Sequence, residues 1–416
     1  MKPTHKYLTL ISGFLFVIIF VTDVFAEGQF NCPKITDDQC PALLFIEGSV
    51  DESNLYIAYF DGKTVRREKI ISSRYIQVTQ LDNAVFLVST SESPNNGKVY
   101  AIDFSGPKAK FLAQSTRIHC LRAQPQRKTA MLMDVNGNIG RIQLIELNLA
   151  NLESTLRYTL SKEVLGDNFI GMVQSMKLSP DFKHIVYAGR KGNKEHELWS
   201  EYTLRILDLA TMKAEDLDKN VGVQISGISS FWCGIPVIEW INNDEVIYRD
   251  MVPNEPKQIS KPELDSLNIF KSVNIRTKEI SELFRKELRL TLDGGSLQTN
   301  PLNGKLLYNN LWYLNLRDGT LTPKNLPFSV IVDKSTKQTQ VLQGTDVLYC
   351  GDEHCIGRPI STSGGNFAYS LRPKRGTLCV KLYAKFEGTE QPLKIAQGPY
   401  SPTSPIAWIE STSLSK

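Results

Sequence analysis

Beyond an N-terminal apolar run, the chain alternates short apolar or aromatic runs with clusters of turn residues, and almost nowhere holds a helical period. Ala84–Ser89, Lys98–Asp103, His184–Ala188, Thr203–Asp208, Glu245–Arg249 and Phe328–Asp333 each combine β-branched or aromatic residues with period-two spacing, so each predicts a strand. One segment competes: in Glu279–Leu288, the side chains of Ile280, Leu283, Phe284 and Leu288 would share one face of a helix. It stands alone, and the pattern predicts an all-β chain.

Laying segments over one another exposes a repeat. Leu178–Tyr187, Thr299–Tyr308 and Ala123–Leu132 each place a proline seven residues before a bulky apolar or aromatic residue. Such spacing suits a strand that ends at a proline turn, where a missing amide donor costs nothing, followed at once by a second strand. Glu239–Tyr248, Ile360–Tyr369 and Val78–Phe86 are looser copies. The turns near residues 80, 125, 180, 242, 301 and 363 are separated by about 45 to 62 residues, the length of one four-stranded propeller blade with its loops.

Ser404–Glu410 reads as the first strand of such a unit with nothing after it, and Pro41–Ile46 reads as its second. Joined, they complete a seventh unit beside the six internal copies. The expected fold is an all-β, closed β-propeller of seven blades, six being the other count, with the termini sharing one blade and residues 27–416 forming a single domain. The competing picture is a β-sandwich in which 404–410 is a tail strand.

The stretch Met176–Leu217 carries Leu-Ser-Pro-Asp at 178–181, Ile-Val-Tyr at 185–187 and Leu-Arg-Ile-Leu-Asp-Leu-Ala-Thr at 204–211. It resembles the TolB-like β-propeller repeat family. The resemblance implies closed propellers of exported bacterial proteins and says little about activity. It covers one unit well and the others in outline. Most copies lack the Ser-Pro-Asp-Gly core, and no separate N-terminal domain of the TolB sort is expected.

Residues 1–26 have the grammar of a secretory signal: Lys2 and Lys6, an apolar run from Leu8 to Val21, and small residues Val24 and Ala26 before a cut. An uncleaved anchor is the alternative, but the run is short of a comfortable span and Asp23 interrupts its end. The expectation is an exported protein, periplasmic or secreted, with no stable membrane insertion after cleavage. A net charge of +4 spread over so long a chain lacks the footprint of a nucleic-acid binder.

Seven cysteines in an oxidising compartment leave at least one without an intrachain partner. Cys32 with Cys40, and Cys350 with Cys355, are spaced for local disulfides, whereas Cys120, Cys233 and Cys379 are either partners across the fold or buried thiols. Cys350-Gly-Asp-Glu-His-Cys355 offers zinc ligands at a spacing foreign to common fingers, so a disulfide is the expectation and no metal is assigned. His119, His184, His196 and His354 are scattered.

Asp134–Gly140 places oxygen-bearing side chains at alternate positions, as a calcium loop does, but Ile139 and Ile145 stand where an EF-hand needs Gly and Glu. An Asn-Gly hairpin turn explains it without an ion. No Gly-x-Ser-x-Gly elbow and no glycine-rich phosphate loop appears, and no cofactor is expected.

Val221–Gly234 and Met251–Leu264 look too long for tight turns, and long loops on a rigid scaffold are where binding surfaces form. Phe231 and Trp232 are the candidate anchors there, with plugging between blades as the competing role. The function these features favour is a non-enzymatic module that binds another protein or an extracellular ligand. The alternatives are an enzyme at the channel mouth, such as a metal-dependent sugar lyase or hydrolase, and a structural subunit of an envelope assembly.

Overall fold

The computed structural model describes residues 41–49, 51–93, 96–106, 108–114, 118–136, 141–165, 175–190, 199–224, 238–253, 266–287, 297–299, 306–308, 312–315, 321–323, 329–332, 339–342, 354–362, 365–373, 379–399 and 403–410. The expected signal segment 1–26 lies outside them. No helix among the described residues is long and apolar enough to cross a membrane.

The period-two runs form antiparallel meanders in chain order. Strands β1 (Ala42–Gly48), β2 (Ser53–Phe60) and β3 (Val65–Ser73) open the first sheet. The second holds β4 (Tyr75–Gln80), β5 (Val85–Ser93), β6 (Asn96–Asp103) and β7 (Lys108–Ala113). The third holds β8 (Ile118–Gln124), β9 (Thr129–Asn136), β10 (Arg141–Asn148) and β11 (Ser154–Ser161). In the fourth are β12 (Lys177–Leu178), β13 (His184–Arg190), β14 (Trp199–Asp208) and β15 (Lys213–Gln224).

The fifth holds β16 (Ile238–Trp240), β17 (Glu245–Pro253), β18 (Ser266–Asn274) and β19 (Ile280–Glu287). The sixth is built of very short strands, β20 (Leu297–Thr299), β21 (Leu306–Tyr308), β22 (Trp312–Leu314) and β23 (Leu321–Pro323), and a separate hairpin of β24 (Ser329–Val332) and β25 (Thr339–Leu342) follows it. The seventh is β26 (His354–Ser361), β27 (Phe367–Pro373), β28 (Cys379–Lys385) and β29 (Leu393–Pro399). Finally β30 (Ser404–Ile409) returns to the first sheet and pairs with β1.

Each of the six predicted turns falls between the first and second strand of a sheet, from β4–β5 to β26–β27. The last strand pairs with the first: Leu43 lies opposite Trp408, and Phe45 opposite Pro405 after a bulge. The helical alternative for Glu279–Leu288 gives way to β19. Phe284 is buried there and stacks on Phe270 with ring centroids 4.7 Å apart, while Ile280 is exposed. A bulge between Phe270 and Lys271 resets the alternation, and this made the apolar spacing resemble a helix. The predicted strand Phe328–Asp333 is β24, which belongs to the separate hairpin.

The first to fifth sheets in turn, and the seventh with the first, pack face to face through shared apolar layers. Ile57 and Ile70 of the first meet Phe86 and Ile102 of the second. The second meets the third around Leu87, Val99 and Leu132, the third meets the fourth around Met133, Leu144 and Tyr187, and the fourth meets the fifth around Leu204, Trp240 and Tyr248. Leu43, Phe45 and Trp408 of the first pack on Ala368, Leu382 and Phe386 of the seventh. Each fully buried Phe or Leu side chain contributes roughly 1.5–3 kcal/mol, so these layers supply the drive that stacks the meanders.

Polar contacts add to the junction of the seventh and first sheets. Arg67 on β3 donates to the Ile395 carbonyl at 2.7 Å, pairs with Glu47 at 2.5 Å and lies over the rings of Phe45 and Tyr56. A Cβ at Gly398 would collide with the Gly48 carbonyl oxygen and the Thr403 hydroxyl, and only glycine leaves room for that approach.

A second repeated device joins the third and fourth strands. Asn148, Asp208 and Asn274 open equivalent turns, and their side-chain oxygens accept the amides of Ala150, Thr211 and Arg276 at 2.8, 2.7 and 2.9 Å. The fifth residues, Leu152, Met212 and Lys278, have φ of 60°, 55° and 61° and return their amides to the opening residue's carbonyl. Asn and Asp suit this opening place because a short side chain closes the turn locally.

The amide of Thr211 holds the Asp208 carboxyl below its ordinary range, with the Thr211 hydroxyl and His184 adding to the effect against burial. A depressed folded pKa gives stability that is present above the unfolded pKa and lost as pH falls through the folded one. Asp208→Asn keeps the turn, as Asn148 and Asn274 do. It is therefore expected to flatten the fall of Tm between about pH 5 and pH 2, measured by thermal melts across that range.

Candidate functional site

The first strands of neighbouring sheets approach one another: β8 contacts β12, β12 contacts β16, β16 contacts β20, and β26 contacts β30. Fourth strands such as β7 and β11 are mostly exposed. The first strands thus form the inner wall of the stack and the fourth strands its rim.

Three charged residues occupy one level of that wall. Arg122 on β8 lies opposite Met131, Lys177 on β12 opposite Val186, and Glu239 on β16 opposite Ile247. Each of those partners sits two residues past the one facing Asn148, Asp208 or Asn274. Arg122, Lys177 and Glu239 are therefore equivalent positions on three consecutive inner strands.

The register makes them converge. Arg122 Nη2 lies 3.1 Å from Glu239 Oε1, and Lys177 Nζ lies 3.5 Å from Glu239 Oε2. The Trp240 amide also donates to Glu239 Oε1 at 3.0 Å. Arg122 Nε donates to the Leu178 carbonyl at 2.8 Å and Trp240 Nε1 to the Lys177 carbonyl at 2.9 Å, which fastens the three strands to one another. Burial pushes the Arg122 guanidinium down, with Glu239 opposing. Two cations share one carboxylate, so the group carries an excess of one positive charge. Its carboxylate is engaged at both oxygens.

A second charged network lies between the fourth and fifth sheets. Lys271 Nζ is 2.6 Å from Asp250 Oδ2 and 3.9 Å from Asp218 Oδ2. The Tyr248 hydroxyl donates to Asp218 Oδ2 at 2.5 Å, and the Gly222 amide to Asp250 Oδ1 at 2.8 Å. Burial and then Asp218 push the Tyr248 hydroxyl far up. Every described member is bonded to another, which is the mark of a structural network.

Phe231, Trp232, Cys32, Cys40, Cys233, Cys350 and His196 lie outside the described residues. His354 and Cys355 fall on β26 and His119 on β8, two inner strands of sheets that are not neighbours. His184 opens β13, away from the inner wall, with Nε2 3.4 Å from Asp208 Oδ2. Cys120 and Cys379 are free thiols, and burial pushes Cys120 up to about 12. Asp134 and Asn136 end β9, and Asn136 pairs with Arg141 across a hairpin. Among the described residues no group of three or more His, Cys, Asp or Glu gathers.

The connections are unequal. In the third to fifth sheets the turns between first and second strands, and between third and fourth, are tight, as at 125–128, 179–183, 209–212 and 241–244. In an up-and-down meander these all lie at one end of the stack. The segments 166–176, 191–198, 225–237 and 254–265 join strands at the opposite end and are longer. Val221–Gln224 and Met251–Pro253 prolong β15 and β17, so the two long loops expected from sequence narrow to 225–237 and 254–265. Phe231 and Trp232 fall in the first of these.

No protein-family model and no curated protein matches this sequence. Among solved structures, the chain is similar to the β-propeller domain of the Trilobed protease from Pyrococcus furiosus, with 11% identity over 78% of this chain and 84% of that one, TM-score 0.37. It is similar to TolB from Acinetobacter baumannii, with 12% identity over 86% of this chain and 82% of that one, TM-score 0.35. It is also similar to an oligogalacturonate lyase in complex with manganese, with 13% identity over 78% and 72%, TM-score 0.32. On the strength of its own stacked four-stranded meanders the chain is a β-propeller.

Proposed function

We propose that this chain is an exported, non-catalytic binding module, a seven-bladed ring closed through the sheet that its two ends share. It takes a protein partner at the end that carries its longer connections. The observation behind this reading is the inequality of the connections in the fourth and fifth sheets: the strands there are joined by tight turns at one end, while the strand ends at the other are bridged by the longer segments 191–198, 225–237 and 254–265. A rigid scaffold that concentrates its loop length at one end has the build of a recognition surface. Phe231 and Trp232 supply aromatic anchors of the kind that dominate interfaces.

The test is affinity capture from the compartment to which the protein is exported, with three baits. They are the full chain, a variant with 191–198 and 254–265 each replaced by Asn-Gly, and the Phe231→Ala, Trp232→Ala double variant. The full chain is expected to retain one discrete partner that both variants lose while melting as it does. Retention of that partner by both variants, or recovery of none by any bait, would overturn the reading.

A further inference from the structure

We propose that Arg122, Lys177 and Glu239 form a binding site for a single carboxylate group on the inner wall, at the level that these three equivalent positions share. The site is separate from the long-connection end, since Arg122 and Lys177 lead directly into the tight turns at Pro125 and Pro180.

The charge count points to an anion. Glu239 is almost fully enclosed, with its side chain 6% exposed, and its two oxygens are taken by Arg122, Lys177 and the Trp240 amide. Arg122, at 18%, spends Nε on the Leu178 carbonyl and Nη2 on Glu239. Its Nη1 edge has no acceptor among the described residues. Lys177, at 29%, has one charged partner at 3.5 Å and further ammonium protons to give. A half-buried excess positive charge is unfavourable unless an anion neutralises it.

The same count selects the class of anion. One surplus charge is balanced by a monoanion, whereas a phosphate dianion would leave negative charge next to Glu239. The donors that remain, one guanidinium edge and one ammonium, match the two oxygens of a carboxylate. Lys177 is the more exposed of the two cations and therefore faces the side from which a ligand enters. On the inner strand β4 of the second sheet, Thr79, opposite Leu87, holds the matching register position. The carboxylate can belong to a peptide terminus or to a small free acid.

Calorimetric titration of the full chain tests this with four probes: N-acetyl-glycyl-glycine, its C-terminal amide, acetate and inorganic phosphate. The peptide acid is expected to bind saturably, phosphate more weakly, and the amide not at all. Acetate as strong as the peptide acid assigns recognition to the carboxylate alone, and acetate much weaker assigns it to a peptide terminus.

Lys177→Met is expected to weaken the acid by about tenfold or more. Glu239→Gln, which keeps the side chain's shape and adds one unit of excess charge, is expected to strengthen the acid and admit phosphate. Thermal melts establish that each variant is folded. Equal binding of acid and amide, preference of the unaltered chain for phosphate, or acid affinity untouched in both folded variants would overturn the assignment.

Discussion

Deleting residues 404–416 is expected to remove most of the protein's stability, although the cut touches only one strand. β30 is the inner strand of the first sheet and has β1 as its partner. Its Ile409 is fully buried against the layer shared with the second sheet, and its Trp408 is buried against the layer shared with the seventh. Trp408 also donates Nε1 to the Ile360 carbonyl at 3.5 Å and meets Phe386 edge to face at 5.4 Å. Removing a buried Trp and a buried Ile costs about 3–5 and 2–5 kcal/mol, and the bare edge of β1 forfeits its ladder besides. That sum rivals the roughly 5–15 kcal/mol that hold most domains folded.

The shortened chain should therefore melt far below the full one, with a broadened transition in calorimetry. A synthetic 403–410 peptide should raise its Tm in proportion to the logarithm of peptide concentration, because it binds only the folded state. A shortened chain that melts within a few degrees of the full chain would show that the first sheet stands without its last strand, and the proposed ring would fall with it.

The pairing of the two ends was legible because each carries a recognisable half of a unit: Pro41–Ile46 continues a pattern that Ser404–Glu410 begins. The proline turns were legible for a local reason, since Pro125 and Pro180 each end a strand whose amide would have had no use. The charged trio was not legible. Arg122, Lys177 and Glu239 are distant in sequence and meet only through register. The fifth sheet also spends one residue fewer on its first turn, so Glu239 pairs with Ile247 while Lys177 pairs with Val186. A simple overlay of Glu239–Tyr248 on Leu178–Tyr187 sets Glu239 against Leu178, an apolar position, and hides its equivalence to Lys177. The turns opened by Asn148, Asp208 and Asn274 were the missing ruler: aligned on them, the three charges fall into one row.

Lys271→Met is expected to cost about 3 kcal/mol or more, because it strips the cation from two enclosed carboxylates and leaves them facing each other. Asp250 would keep only the Gly222 amide, and Asp218 only the Tyr248 hydroxyl. Deleting both members of such a set costs less than deleting one. Asp218→Asn introduced into the Lys271→Met chain should therefore recover about 1–2 kcal/mol, although Asp218→Asn alone destabilises.

The coupling between the two substitutions, read from urea unfolding of the four chains, would thus be large and opposite in sign to the single effects. Additive effects within about 0.5 kcal/mol would mean that water already reaches these carboxylates. The junction of the fourth and fifth sheets would then rest on its apolar layer, with Leu204, Trp240 and Tyr248 among its members.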